Sequence, residues 1–309
     1  MGSKNLSELS GRKGIEDNLF DRMGKLAVDG SGAPSKEDLN LLAEEFLMGK
    51  ANTYGTTTFY DFLKPENKGK KVYICNGSAC LCAGKQEDTL ANLKDHFTSD
   101  EIGHMTCLGR CHENGAFHFN GNNYSAKSSE EIASIVDSGT PAIDKYHVGS
   151  HGPEVLIAEY EGLERHYTPF KVALKRDSKD VLEDVKNSGI RGRGGAGFPM
   201  GIKWEFCRNN ENDTKFIICN ADEGDPGAYS DRYLLEERPH SVLFGMLIAA
   251  YCKHAHWGIL YIRGEYPESI QIVEDAIQEL RDAKLIGKNI DGSGFDFDFK
   301  VIRAQGSYI

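Results

Sequence analysis

The chain has 309 residues, of which 39% are hydrophobic, and this is enough to fill the cores of two domains. It carries 36 basic and 47 acidic residues, a net charge of -11 without a long basic run, which argues against binding to nucleic acid. No apolar stretch reaches the roughly 18 residues that a membrane span needs, and the N-terminus shows no secretory signal. We therefore expect a cytoplasmic protein with no membrane span, in which the eight cysteines are reduced and available to metals.

The first part of the chain, residues 1–68, is predicted to be an N-terminal helical region. Ser35, followed by Asp38 three residues later, indicates a capping box at the start of a helix. Four apolar residues then recur at helical spacing and predict the buried face of this helix: Leu39, Leu42, Phe46 and Leu47.

Residues 69–137 predict a small α/β unit. A strand over residues 71–75 leads directly into a turn between two cysteines, and a helix is expected over residues 85–97. The sequence Asn120-Gly121-Asn122 predicts a β-hairpin, and a closing helix is expected over residues 129–136. In this order of elements both cysteine turns lie at one end of the unit.

The composition shifts to Gly, Pro, Ser and His over residues 138–153, which predicts a linker before a second domain at 154–309. In the second domain strands and helices alternate, and this alternation indicates an α/β fold with a parallel sheet. The predicted elements are a helix over 180–187 that stops at Gly189, buried strands over 215–219 and 258–262, a helix from Pro267 to Gly287, and a half-buried strand over 295–301.

Two closely spaced cysteine pairs follow short hydrophobic runs. Cys75 and Cys80 form a C-x4-C pair, and Cys107 and Cys111 form a C-x3-C pair. Four thiolates from two turns suit a [2Fe-2S] cluster, in which each iron is held from its own side. A structural zinc ion is the alternative, since it also accepts four thiolates. Cys82 is a possible fifth thiol, although its apolar neighbours predict that it packs inward.

A glycine-rich loop lies in the second domain and contains Gly192, Arg193, Gly194, Gly195, Ala196 and Gly197. Glycines let backbone N–H groups approach a phosphate closely, and Arg191, Arg193 and Lys203 add positive charge. The loop follows a predicted helix instead of a strand, so it does not meet the requirement of the Rossmann dinucleotide fold. We interpret it as a phosphate-binding loop, and the alternative is a flexible surface turn.

A third cluster, residues 219–227, follows the predicted strand 215–219 and is rich in acidic and amide side chains. Open α/β sheets bind ligands at the carboxyl ends of their strands, where this segment lies. Asn220 can donate and accept hydrogen bonds at a flavin ring edge, and the carboxylates can accept from ribityl or ribose hydroxyls. The alternative is a solvated acidic turn. The candidate ligands in this segment are Asn220, Asp222, Glu223 and Asp225.

These clusters together resemble the flavoprotein module of respiratory complex I and of NAD-linked hydrogenases and formate dehydrogenases. The similar stretches of the second domain are residues 190–204, 219–233 and 261–266. Residues 35–137 resemble a different subunit of the same module, the thioredoxin-like [2Fe-2S] protein, through Thr58-Phe59-Tyr60 and the two cysteine pairs. The chain thus resembles two subunits joined in series.

The resemblance implies an α/β fold class, with an N-terminal helical segment and a thioredoxin-like [2Fe-2S] domain ahead of an incomplete FMN/NAD-binding domain. It implies that FMN is held by the glycines of Gly192 to Gly197 together with Lys203, Asn220, Asp222 and Glu223. It also implies that NAD(H) binds near Phe198, Phe206, Asp225 and Tyr308. For Phe198 and Phe206, packing in the hydrophobic core is the alternative.

The family continues beyond the position of Ile309 into the rest of the flavin pocket and a [4Fe-4S] domain, so the resemblance implies a C-terminally truncated module. The function that we expect is NAD(H) oxidoreductase (diaphorase) activity, with hydride transfer by FMN and no catalytic side chain. Its partners would be NAD(H) and other redox subunits of a complex I-like, hydrogenase or formate dehydrogenase assembly. The alternative is a non-catalytic iron–sulfur or zinc docking scaffold with a vestigial nucleotide loop.

Overall fold

The computed structural model describes residues 18–140, 144, 159–212 and 214–307. The predicted linker, residues 138–153, lies outside this set except for 138–140 and 144, and Tyr308 lies outside it as well. In the part of the chain that is described, no helix is long and apolar enough to cross a membrane.

Three helices open the described chain: α1, Leu19–Asp29; α2, Lys36–Glu45; and α3, Lys50–Phe59. The predicted capping box of α2 is confirmed, because the Ser35 hydroxyl accepts from the Asp38 N–H at 3.1 Å and the Asp38 carboxylate accepts from the Ser35 N–H at 3.3 Å. Three of the four apolar residues expected on its inner face are buried, but the prediction for Leu47 is wrong, since it is 45% exposed. The helix has already ended there, and a φ of 54° at Leu47 turns its side chain off the buried face.

The first sheet has four strands in the order β2-β1-β3-β4. Strands β1 and β2 are parallel, whereas β3 and β4 form the predicted antiparallel hairpin. Helices on this sheet shield a core that includes Val72, Ile74, Phe117 and Ile132. The elements are β1, Val72–Cys75; α4, Ser78–Ala83; α5, Gln86–Lys94; β2, Ile102–Met105; β3, Phe117–Phe119; β4, Asn122–Tyr124; and α6, Ser129–Ser138.

The second sheet has three strands in the order β5-β6-β7, all parallel, as the alternation of elements predicted. Helices α11 and α12 bury one face of this sheet in the largest hydrophobic core of the described chain. The elements are α7, Leu163–Ala173; α8, Ser178–Asn187; α9, Met200–Arg208; β5, Phe216–Ala221; α10, Ser230–Glu237; α11, Pro239–Lys253; β6, Trp257–Ile262; α12, Pro267–Asp282; and β7, Asp298–Arg303.

Three details of the second domain differ from the sequence prediction. Strand β7 spans Asp298–Arg303 instead of 295–301, and Phe297 instead pairs with Gly287 in an isolated β-bridge. Helix α12 ends at Asp282 instead of Gly287, because Lys284 takes a φ of 56° and breaks the helical hydrogen-bond pattern. Strand β5 is only half buried: Phe216 is 40% exposed and Ile218 is 66% exposed. Successive side chains of a strand point to opposite faces, and in β5, one of the two edge strands of the sheet, Phe216 and Ile218 point away from the helices that cover the other face.

The N-terminal region packs against both sheets. After α3, the backbone N–H groups of Asp61 and Phe62 donate to the carbonyls of Gly306 and Gln305, at 2.6 and 2.9 Å. The Tyr60 and Tyr261 hydroxyls lie 3.1 Å apart. The two sheets are thereby held against one another, and the carboxyl ends of β5, β6 and β7 face the cysteine loops of the first sheet.

Candidate functional site

The two cysteine loops leave the same edge of the first sheet. Strands β1 and β2 are parallel neighbours, with Cys75 in register with Met105, so the first cysteine loop (residues 75–80) and the second (residues 107–111) emerge side by side. Gly77 lets them approach, since a Cβ at this position would lie 3.0 Å from the backbone nitrogen of Cys107. Cys107 itself has a φ of 54°, a conformation that residues other than glycine rarely adopt.

The four thiols are arranged as two pairs. The Sγ atoms of Cys107 and Cys111 are 3.5 Å apart, and the thiols of Cys75 and Cys80 hydrogen-bond each other. The hydrogen bond from Cys75 lowers the pKa of Cys80 to about 6, and that from Cys111 lowers the pKa of Cys107 to about 6. For their partners Cys75 and Cys111 the same hydrogen bonds, together with burial, raise the pKa. In each pair the pKa of one thiol is lowered and that of its partner is raised.

Backbone N–H groups lie near the sulfur atoms. The Gly77 N–H donates to Cys75 Sγ at 3.4 Å. The Ala116 N–H acts to lower the pKa of Cys80, and the N–H of Gly227, which belongs to the second domain, acts to lower the pKa of Cys111. Such donors stabilise thiolates and are typical of iron–sulfur sites.

Cys82 does not belong to this arrangement. The prediction that it packs inward is wrong, because its side chain is exposed, whereas Cys80 is buried. Both residues lie on the short helix α4, where positions two apart differ by roughly 200° around the axis, so Cys80 and Cys82 point in opposite directions.

The glycine loop (residues 190–199) lies between α8 and α9, so the prediction that it follows a helix is confirmed. Its two ends pair through the Gly192 N–H to the Phe198 carbonyl at 2.8 Å and the Met200 N–H to the Ile190 carbonyl at 3.0 Å. Gly195 and Gly197 have φ values of 99° and 59°, which glycine adopts without strain. A Cβ at either of them, or at Gly194, would meet nothing within 4 Å, so the space over the loop is open.

Two aromatic rings and a cation accompany the glycine loop. Phe198 is 46% and Phe206 is 65% exposed, and their ring centroids are 6.4 Å apart, so the alternative of packing in the core is wrong. Lys203 is also exposed, on the first turns of α9. These side chains are free to contact a nucleotide that approaches the loop.

The acidic turn (residues 219–227) follows β5 at the carboxyl edge of the second sheet. Asn220 is exposed and its side-chain oxygen accepts from the Asp222 N–H at 3.2 Å. Asp222 Oδ2 accepts from the Ser307 hydroxyl at 2.7 Å, whereas its buried Oδ1 has no partner among the described residues. Asp225 is exposed. Asn220 and Asp222 can therefore accept further hydrogen bonds from a ligand.

Glu223 already has protein partners. Its carboxylate accepts from the Ser230 hydroxyl at 2.9 Å and from the Asp231 N–H at 3.2 Å, at the start of α10, and from the Tyr266 hydroxyl at 3.3 Å. A carboxylate at a helix N-terminus complements the helix dipole. Glu223 thus fixes the acidic turn onto α10 in addition to any contact with a ligand.

Buried arginines of the second domain bind the second cysteine loop, and the sequence analysis did not identify them. Arg263 Nη2 donates to the Cys107 carbonyl at 2.9 Å, while its Nη1 donates to the Glu223 carbonyl. Arg232 donates to the Gly109 carbonyl, and its guanidinium lies over the Tyr266 ring. The sequence Cys107-Leu-Gly-Arg-Cys111 indicates a short loop whose backbone carbonyls need hydrogen-bond donors. Only the folded structure shows that these donors are Arg263 and Arg232.

A glutamate connects one of these arginines, Arg232, to a third one in the cysteine loop itself. Glu268 accepts from Arg110 at 2.6 Å and from Arg232 at 2.9 Å, and all three side chains are buried. Gly109 permits the close approach, since a Cβ there would lie 2.5 Å from the Tyr266 ring. The structure thus brings together the cysteine pairs and the acidic turn across a single interface.

Two family models match the chain. Residues 25–140 match the thioredoxin-like [2Fe-2S] ferredoxin, and residues 185–309 match the Nuo51 FMN-binding domain. The resemblance inferred from the sequence and the predicted fold class are confirmed by these matches.

The chain is similar to several curated proteins over about half of its length. It is 44% identical over 155 residues to the NADP-reducing hydrogenase subunit HndC of Solidesulfovibrio fructosivorans, covering 50% of this chain and 30% of that protein. It is 48% identical over 132 residues to the NAD-reducing hydrogenase HoxS subunit alpha of Cupriavidus necator, covering 42% and 22%. It is 43% identical over 143 residues to an NADH-quinone oxidoreductase subunit of Aquifex aeolicus, covering 46% and 33%. The matched region spans about a third of these relatives or less.

A solved structure of a NAD+-reducing [NiFe]-hydrogenase in the air-oxidised state matches 94% of this chain and 53% of the hydrogenase chain. The TM-score is 0.67 and the sequence identity is 25%. The same kind of enzyme in the H2-reduced state matches with a TM-score of 0.72, over 93% of this chain. Both parts of the described fold therefore occur together in one chain of a known redox enzyme.

Proposed function

We propose that this chain, which combines a thioredoxin-like [2Fe-2S] domain with part of a Nuo51-type FMN-binding domain, is an NAD(H) oxidoreductase module of a larger redox complex. In this proposal it passes electrons between NAD(H), FMN and iron–sulfur clusters. The observation that carries the proposal is the shared segment between the two sites. The acidic turn contains the candidate flavin ligands Asn220 and Asp222, and Arg263 donates both to the Glu223 carbonyl of this turn and to the carbonyl of the proposed cluster ligand Cys107.

The cysteine loops fit a [2Fe-2S] cluster. Two thiol pairs on adjacent loops match two irons, each of which takes two cysteine sulfurs, whereas one tetrahedral zinc ion needs four sulfurs around a single point. Cys75 and Cys80 would hold one iron, and Cys107 and Cys111 the other. The Gly77 N–H donor at Cys75 Sγ would stabilise the thiolate form that binds iron.

The glycine loop and the acidic turn fit a flavin mononucleotide. The open N–H groups of the loop would contact the phosphate, with Arg193 and Lys203 adding charge attraction. Asp222 Oδ1, which lacks a partner among the described residues, would accept a hydrogen bond from a ligand hydroxyl. Phe198 and Phe206 offer exposed rings on which a nicotinamide dinucleotide can stack.

Bound FMN would supply the exchange between the two-electron chemistry of NAD(H) and the one-electron chemistry of an iron–sulfur cluster. The protein's own part in this exchange is positioning. Glu223 and Arg263 hold the acidic turn against the Cys107 backbone, so the two cofactor sites keep a fixed separation. The direction of electron flow, NADH oxidation or NAD+ reduction, would be set by the partner subunits.

The test is an anaerobic ultraviolet–visible spectrum of the full chain after supply of iron, sulfide and FMN, recorded before and after addition of NADH. We expect broad visible absorption that decreases with NADH. Cluster absorption that does not respond to NADH would exclude electron transfer from NADH within this chain. A colourless protein that contains zinc would instead support the docking scaffold. Titrating FMN fluorescence separately shows whether the glycine loop binds the flavin at all.

A further inference from the structure

Arg263 is the residue that joins the two proposed cofactor sites most directly. It follows β6, at the carboxyl edge of the parallel sheet, and its side chain is fully buried. One end of the guanidinium donates to the Cys107 carbonyl at 2.9 Å and the other to the Glu223 carbonyl. The proposed cluster ligand Cys107 therefore has a buried positive charge from the other domain against its backbone.

The Arg263 charge acts on the sulfur site as well as on the backbone. Its Nη2 atom donates to the Cys107 carbonyl at 2.9 Å, so a positive charge lies beside the residue that carries the sulfur and attracts negative charge on the proposed cluster. Water and salt screen this attraction little, because the guanidinium is buried. Glu265 Oε1 lies 2.9 Å from the same Nη2 atom and offsets part of the charge. Burial raises the pKa of the Glu265 carboxyl, and the attraction of Arg263 acts in the opposite direction.

We infer that Arg263 is a positioning residue that raises the reduction potential of the [2Fe-2S] cluster by holding a buried positive charge against the backbone of Cys107. Reduction adds one electron to the cluster and breaks no bond to cysteine, so its whole electrostatic effect is one additional negative charge. A nearby guanidinium favours this more negative state. Since Arg263 belongs to the second domain, that domain would influence the reduction potential of the cluster in the first domain. The inference rests on the proposed cluster.

The test is a reductive titration with dithionite, in which the cluster of the full chain is followed by electron paramagnetic resonance. Iron and sulfide are measured first on the wild-type protein. For Arg263→Gln we expect at least a tenfold lower ratio of reduced to oxidised cluster at a fixed potential, equivalent to a midpoint about 59 mV more negative for a one-electron couple. Arg263→Lys keeps the charge and is expected to recover more than half of this shift.

Arg303 provides a matched control. It ends the neighbouring strand β7 at the same domain interface and donates to the Gly264 carbonyl at 3.3 Å, away from the cysteine loops. Arg303→Gln removes the same charge from the same interface, and we expect less than half of the shift seen for Arg263→Gln. Equal shifts in the two variants would overturn the inference, because they would show that any loss of charge or packing at the interface has the same effect.

A second variant covers the case in which Arg263→Gln fails to fold. Removing one partner of a buried ion pair leaves the other charge uncompensated, whereas removing both is tolerated far better. The double variant Arg263→Gln/Glu265→Gln is still expected to show a lower potential than the wild type, since the guanidinium is the partner that bonds Cys107. A double variant with the wild-type potential would overturn the role of Arg263. A wild-type chain that takes up no iron would instead overturn the proposed cluster.

Discussion

The second cysteine loop and the glycine loop are both expected to hold a cofactor, yet they differ in how the protein supports them. The cysteine loop is largely buried, and its Cys107 and Gly109 carbonyls accept from arginines of the other domain. The glycine loop is exposed, with open space over Gly194. The proposed cluster site is thus built into the folded core, while the proposed nucleotide site is an open surface shaped mainly by its own backbone turn.

The largest difference between the two regions should appear when a cluster ligand is removed. We expect Cys107→Ser to abolish the visible absorption of the [2Fe-2S] cluster almost completely, because one iron loses a thiolate ligand. FMN binding by the glycine loop should persist in the same variant. Iron analysis and FMN fluorescence measured together check this. Cys82→Ser is the control: its exposed thiol lies outside both pairs, and a loss of iron in this variant would contradict the assignment of ligands.

A second prediction concerns the interface behind the cysteine loop. Glu268→Gln leaves Arg110 and Arg232 buried without their shared carboxylate, and we expect the free energy of unfolding to fall by about 3–5 kcal/mol. Urea unfolding measures this loss. Glu161→Gln breaks a surface ion pair with Arg165, at 2.8 Å, and should change stability by less than about 1 kcal/mol. Similar losses in both variants would show that the buried network contributes no more to the free energy of unfolding than a surface ion pair does.

A third prediction concerns the pH dependence of stability in the domain that carries the cysteine loops. Burial lowers the pKa of His118 to about 4, from 6.5, so the folded protein favours its neutral form. The stability that this contributes is complete above pH 6.5 and is lost as the pH falls toward 4, by about 3 kcal/mol at most. His118 Nδ1 lies 2.7 Å from Asn123 Oδ1, and Asn123 also donates to the Leu108 carbonyl, so acid should loosen the cysteine loop first.

Thermal melting between pH 7.5 and 4.5 checks the effect of His118. His118→Gln should show a flatter dependence of melting temperature on pH than the wild type. His104→Gln, a change at an exposed position on β2, should keep the wild-type dependence. If both variants follow the same curve as the wild type, another group controls acid unfolding.

The smallest effect is expected at the glycine loop. Gly194→Ala adds a methyl group to open space, so stability should not change, but the methyl group would hinder a phosphate at the loop. We expect about a tenfold weaker FMN affinity, or about 1.4 kcal/mol. Fluorescence titration measures the affinity. Gly55→Ala adds the same methyl group to open space on α3 and should leave FMN affinity unchanged, so an equal loss there would contradict the role of the loop.

The sequence was informative where the signal is local. The capping box at Ser35, the hairpin at Gly121 and the helix before the glycine loop all depend on residues that are close in the chain, and all are confirmed. The cysteine pairs could be identified from their spacing alone. Leu47 and Cys82 were predicted wrongly because their direction depends on the last turn of one helix and on the rotation around another.

The arginine contacts could not be predicted, because they join residues far apart in the sequence. Arg232 and Arg263 lie more than 100 positions beyond the carbonyls that they bind, with separations of 123 and 156 residues. From the sequence alone, an arginine on a helix or after a strand is expected at the surface, because arginine is rarely buried. Here the packing of the two domains buries both arginines. The half-exposed face of β5 has the same origin, since edge position is a property of the sheet and not of the strand.

The long separation between the cysteine loop and its arginines also bears on how the protein is made. The four cysteines leave the ribosome well before Arg263, which follows Cys111 by 152 residues (263 − 111). At roughly 5–20 residues per second, translation of that interval takes roughly 8–30 s. Throughout this period the nascent chain has its sulfur ligands but lacks the guanidinium that will fix their loop. Iron delivered during synthesis would therefore meet a looser site than iron delivered to the finished protein.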